Sequence, residues 1–154
     1  MLDAGQPKGS CYYWKSEYTK ALSSDLSSKL VEQTLNISSP ASIIGAFQLG
    51  GAINDVAEDD TAYSFRDAEF ALNINTQWPQ GTESVNHLSW ARETQKAAKP
   101  YSMGSGYINF ASEDETQERV IATYGNEKYK KLVSLKRKYD PDNFFRMNQN
   151  IKPV

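Results

Sequence analysis

Tyr107 and Asn109 stand two residues apart in Tyr107-Ile108-Asn109-Phe110, and Asn73 and Asn75 two apart in the run Phe70–Trp78. A phenol ionises at about pH 10 and serves as a base only where a neighbour favours the phenolate. Residues i and i+2 of a strand share a face, so an amide at 109 would sit beside the phenol. Tyr107 is therefore a candidate base or substrate-orienting group. The competing reading is a strand end whose polar groups are simply satisfied. In 70–78, alternation sends Phe70, Leu72 and Ile74 to one face and Ala71, Asn73 and Asn75 to the other. Amides on that second face, where charges or threonine would be more usual, suggest a polar ligand cavity; an exposed sheet face is the alternative. Gln48, on a neighbouring strand, is a further substrate-binding candidate.

Other chemistry-bearing groups read as structural. The clusters Glu58-Asp59-Asp60 and Glu113-Asp114-Glu115 fit a solvated loop and a helix start favoured by the helix dipole. The basic run from Lys128 to Lys138 fits a solvated helix face. Cys11 is the lone cysteine and His87 the lone histidine, so neither an internal disulfide nor a multi-histidine metal site can form, and no metal is expected. There is no GxSxG, GxxxxGK[ST] or GxGxxG motif.

The elements needed to position these groups follow from periodicity. Apolar residues at 18, 22, 26, 30 and 31 predict helix over 17–36, divided near Ser23-Ser24-Asp25, where serine and aspartate favour caps. Residues 43–49 and 70–78 predict strands, 82–99 a helix, and 107–110 a short strand. Ser112–Glu115 reads as a capping box opening a helix to about 123. A last helix from Asn126 would pack through Tyr129, Leu132, Val133 and Tyr139. Strands and helices interleave without a βαβ rhythm, so the expected fold is α+β, a mainly antiparallel sheet backed by helices on one face.

At 154 residues, with 39% hydrophobic and 12% aromatic residues, the chain can build one core without staples. A net charge of −2 argues against nucleic acid or an anionic membrane surface as partner. No apolar run is long enough to span a membrane and no targeting segment is visible, which favours a cytoplasmic location by default.

Taken in order, the segments resemble the berberine-bridge-enzyme-like family of FAD-linked oxidases. Tyr13-Trp14-Lys15-Ser16 is similar to the family's YWKS, at the start of its substrate-domain helices. Gly50-Gly51-Ala52 with Thr61-Ala62-Tyr63 and Arg66 resembles its GGA…TAF.HR, and Trp78 and Trp90 match later tryptophans. Tyr107-x-Asn109 resembles Y-x-N. Tyr139-Asp140-Pro141-Asp142-Asn143-Phe144-Phe145-Arg146 with Gln149, Ile151 and Pro153 resembles the YDP.N.F…Q.I.P ending.

Residues 1–10, with Gly5, Pro7 and Gly9 and little that could pack, read as an extended lead-in or a cut end, and the resemblance implies a substrate-domain portion over 11–111 and helices plus a flavin-domain-docking tail over 112–154. It implies FAD held mainly by a separate flavin-binding domain, in cis or trans, and a small-molecule substrate oxidised at an alcohol by hydride transfer to the flavin. Tyr107 would be the catalytic phenol, and Asn109, Asn148 and Gln149 flavin contacts. Two positions depart from the family: Phe110 stands where many members have a tyrosine implicated in proton abstraction, and Ala71 where some carry a charged or amide residue. Neither Cys11 nor His87 occupies a flavin-attachment position. The alternative function is a non-catalytic small-molecule-binding module with the same fold.

Overall fold

A computed structural model describes residues 6–154; of the lead-in expected over 1–10, residues 1–5 lie outside that range. Three strands form one antiparallel sheet in the order β1-β3-β2: β1 is Ser10–Thr19, β2 Ile43–Gln48 and β3 Phe70–Pro79. The helices are α1 (Ser24–Leu35), the single turn α2 (Ala52–Asp55), α3 (Val85–Ala98), α4 (Gln117–Tyr124) and α5 (Asn126–Tyr139). The α+β class and antiparallel sheet agree with the sequence expectation.

As the central strand, β3 is buried from Ala71 to Trp78. Leu72 packs with Leu26 of α1 and Ala98 of α3. Ile74 packs with Tyr13, Trp78, Trp90 and Ala91. Helices α1 and α3 thus cover the Leu72–Ile74 face. Antiparallel partners share a face, so the registers Tyr18↔Ala71↔Phe47, Ser16↔Asn73↔Gly45 and Trp14↔Asn75↔Ile43 define the opposite one. Gly45 contributes no side chain there, which leaves Asn73 flanked by two small residues.

Strand β1 overturns the helix expected from residue 17. Tyr18 belongs to the strand, paired with Ala71, and its helical spacing to Leu22 and Leu26 is coincidental. The alternation was hidden because Lys15 and Glu17 lie on the buried face, where polar residues are rarely expected without partners. The helix begins instead after Ser23, whose Oγ accepts from Leu26 N at 3.2 Å.

The free edge of β1 is covered by the segment 103–119. Tyr18 N donates to Ser105 O at 2.7 Å, and Met103 N to Tyr18 O at 2.8 Å. Ser112 Oγ accepts from Trp14 N at 2.8 Å and donates to Trp14 O at 2.9 Å. That use of Ser112 displaces the expected capping box; Thr116 caps α4 instead, accepting from Arg119 N at 3.3 Å. Where this segment crosses the strand, a Cβ on Gly106 would lie 2.2 Å from Ser16 O, so only glycine fits. The expected strand at 107–110 is likewise replaced by a 3-10 turn, Ile108–Phe110, because β1 is already edged by residues before and after it.

A network of charges bolts the same segment down. Lys15 Nζ reaches Asp114 at 3.0 Å and Glu115 at 3.2 Å; Arg92 Nη2 reaches Asp114 at 2.7 Å; Arg119 reaches Glu115 at 2.8 Å and the fully buried Glu17 at 3.1 Å. Gln95 and Ser102 complete the shell of Glu17. Burial pushes the Glu17 carboxyl up, against the pull of Ser102, Arg119 and Gln95. Burial also raises Asp114, but hydrogen bonds from Arg92, Tyr13 and Lys15 prevail and hold it at about 2. The acidic run 113–115 is therefore a tie and not simply a solvated helix start. Lys128 departs from expectation in the same way: it is buried, donating to Glu58 at 2.7 Å and Tyr63 O at 2.9 Å. Tyr139, expected on the packing side of α5, is 72% exposed.

Candidate functional site

The 3-10 turn presents Tyr107 and Asn109 together. Asn109 Nδ2 donates to Tyr107 Oη at 2.8 Å, so the phenol–amide pair expected from strand alternation is formed by a turn. That bond occupies a lone pair of the phenol and leaves its own O–H to find another partner. The Tyr107 ring packs edge-on against Tyr63 and Phe110, with centroids 6.4 and 5.1 Å away. Phe110 in turn leans on Phe47 at 5.6 Å.

These rings wall a cavity of about 550 Å³ on the sheet face away from α1 and α3. Its floor is Tyr18 and Ala71, and its far wall is Leu49, Ile53, Thr61 and Arg66 from the connection between β2 and β3. The cavity is of a size to take a small organic ligand, and its lining is mostly apolar with a few polar groups. Burial, and then a hydrogen bond to Tyr63, push the Tyr18 phenol up, so Tyr18 remains a protonated donor. Both departures noted in the sequence, Phe110 and Ala71, lie on this cavity.

The remaining candidates divide. Asn73 and Asn75 share the sheet face of Ala71 without lining the cavity. They are 7% and 5% exposed, yet Asn73 Oδ1 and Asn75 Nδ2 are buried without a hydrogen-bond partner. A buried polar atom left unpaired costs about 1–3 kcal/mol, so these two amides carry a cost that no other described residue offsets. Gln48 pairs with Phe70 and is exposed on the opposite side of the sheet, which separates it from this group. Asn148 and Gln149 line a second space of about 550 Å³ between β1, α3 and the tail. There Gln149 Nε2 donates to Ser112 O at 2.8 Å, anchoring the tail to its own chain.

His87 stacks flat on Trp78, centroids 5.0 Å apart, and Cys11 packs against the same core cluster. Among the described residues no group of three or more His, Cys, Asp or Glu could hold a metal ion. Sequence reasoning missed Arg66, Tyr63 and Phe47 as cavity residues. Arg66 and Tyr63 were visible within the matched Thr61–Arg66 motif, whereas nothing local marked Phe47.

The family described as berberine and berberine-like matches residues 106–152. That segment holds Tyr107, Asn109 and the whole tail. An FAD-linked oxidoreductase of Dictyostelium discoideum is 28% identical across 100% of this chain and 33% of its own length. Tetrahydroberberine oxidase of Berberis wilsoniae is 34% identical over 68% of this chain and 22% of its own. The chain belongs to the berberine-bridge-enzyme-like family. It spans about a third or less of these curated relatives, which are FAD-linked oxidoreductases by name or family. Among solved structures, berberine bridge enzyme-like 1 of Physcomitrella patens superposes with a TM-score of 0.81 at 24% identity, covering 93% of this chain and 30% of that one. Berberine bridge enzyme of Eschscholzia californica gives 0.78 at 21%, covering 94% and 33%. These two likenesses establish the fold of this berberine-bridge-enzyme-like chain. No helix among the described residues is long and apolar enough to cross a membrane.

Proposed function

We propose that this chain is the C-terminal, substrate-binding and flavin-covering portion of an FAD-dependent oxidoreductase that oxidises a small alcohol. The observation that carries the reading is the Tyr107–Asn109 pair at the mouth of an aromatic cavity, beside a sheet face with orphaned amide atoms. When bound, FAD supplies the hydride acceptor.

The residues present fit such a ring. An isoalloxazine has an imide edge with both a donor and an acceptor. Asn73 Oδ1 and Asn75 Nδ2 are an unpaired acceptor and donor on a face kept low by Gly45 and Ser16. Asn73 and Asn75 would meet the polar edge of the ring or of the substrate. Tyr107 Oη takes or passes on the proton of the substrate hydroxyl, and Asn109 holds that oxygen in place. Tyr63, Phe47 and Phe110 exclude water and orient a flat substrate. The exposed rings Phe144 and Phe145 suit docking onto a flavin domain, supplied in cis or trans.

Supplying the chain with a flavin domain should permit flavin reduction by an alcohol substrate. Tyr107→Phe should slow the single-turnover reduction about 100-fold or more, the usual weight of a positioned acid–base group. Undiminished reduction in Tyr107→Phe removes the phenol from the mechanism. The apolar residues at Ala71 and Phe110 favour the second reading, a binding module without turnover. Ligand binding with no flavin reduction on any supplied domain would select it.

A further inference from the structure

Arg66 is held by three residues of the same cavity wall. Its Nη1 donates to Ile53 O at 2.7 Å and its Nη2 to Thr61 Oγ1 at 2.6 Å. Its guanidinium lies 4.7 Å from the Tyr63 ring centroid. Every one of these partners is neutral, and Nε is buried with no partner among the described residues. Among the described residues no carboxylate lies within ion-pair distance of Arg66. Arg92, Arg119, Lys15 and Lys128 each have one. The Glu58 carboxylate is paired with Lys128 and that of Asp67 with Lys20, so neither neutralises the guanidinium.

Among the described residues Arg66 is also the only charged side chain lining the cavity. A lone cation among five aromatic rings, partly withdrawn from water, is costly unless an anion completes it. A guanidinium fork stacked on an aromatic face is suited to a planar oxyanion, which it can meet with two parallel hydrogen bonds.

We propose that the cavity takes a planar aromatic compound bearing a carboxylate, with the carboxylate on Arg66 and the ring among Tyr63, Phe47, Tyr107 and Phe110. This rests on the substrate-site reading above and adds the charge of the substrate. An oxidisable hydroxyl on such a molecule lies on the part of the ligand directed to Tyr107, and the acid group is not the reacting one.

The test compares 4-hydroxymethylbenzoate with its methyl ester and with benzyl alcohol, titrated into the full chain at neutral pH and followed by NMR shifts of cavity residues. The acid should bind at least about ten-fold more tightly than either neutral compound, the worth of one charge-assisted contact. Arg66→Gln should abolish the preference and Arg66→Lys should keep part of it. The comparison in the unsubstituted chain needs no variant, so a folding defect at position 66 cannot mask the answer. Equal binding of acid, ester and alcohol overturns the anionic assignment while leaving the substrate-site reading intact. A preference that survives in Arg66→Gln overturns it as well, and binding of none of the three overturns both readings.

Discussion

The proposed role of Asn73 and Asn75 is set against stability. Each has one amide atom buried and unpaired, in the centre of the sheet, where an apolar side chain would meet no such penalty. Asn73→Leu should therefore raise the urea midpoint of the chain, by about 1 kcal/mol in stability, while weakening ligand or flavin binding to that face. A variant that is both less stable and fully competent to bind would remove Asn73 from the site. Asn73 and Asn75 were legible in the sequence because β3 alternates cleanly and amides are unusual on its second face. Arg66 was legible only as part of a motif. What makes it informative is the lack of a carboxylate partner, and partners brought from distant segments leave no trace in local spacing.

Among the elements, the segment 103–119 matters more than its lack of regular structure suggests. It seals β1 through Ser105, Ser112 and the Lys15–Asp114–Arg92 ties. Asp114 is depressed to about 2 from an ordinary 3.8, so its contribution is complete above about pH 4 and is lost as the pH falls toward 2. Glu17 runs the other way, since its raised carboxyl is relieved of a burial cost on protonation. Asp114→Asn should be less stable than the parent by about 1 kcal/mol at neutral pH, the modest figure reflecting solvent screening of a half-exposed carboxylate. That difference, measured by denaturant unfolding across pH, should shrink between about pH 4 and pH 2; a constant difference would deny Asp114 an ionic role. Strand β3 and helices α3 and α5 were readable because one face of each is apolar and the other is not, and β2 was readable as a short apolar run closed by Gly50-Gly51. Strand β1 was not, because Lys15 and Glu17 occupy its buried face and are neutralised by residues some hundred positions away. The 3-10 turn was read as a strand for a related reason: period two placed Tyr107 beside Asn109, and a tight turn achieves the same neighbourhood.

For the whole molecule, two surfaces look outward. On the tail, Phe144 and Phe145 are 77% and 75% exposed, although Asp140 accepts from both of their backbone amides and fixes their place. Phe144→Ser with Phe145→Ser should leave the melting temperature unchanged and weaken binding to a supplied flavin domain about ten-fold or more, as calorimetry would read. Unchanged affinity would mean that the tail is not the docking element. The other surface is an edge of the sheet. Strand β1 is edged by its own chain, but the outer edge of β2, carrying half-exposed Phe47 and Ile43, pairs with nothing among the described residues. Of the two outer edges, that of β2 is the one left open to a further strand among the described residues. A sheet open at both edges can add strands in either direction; the ties along β1 leave only the β2 edge for addition among the described residues.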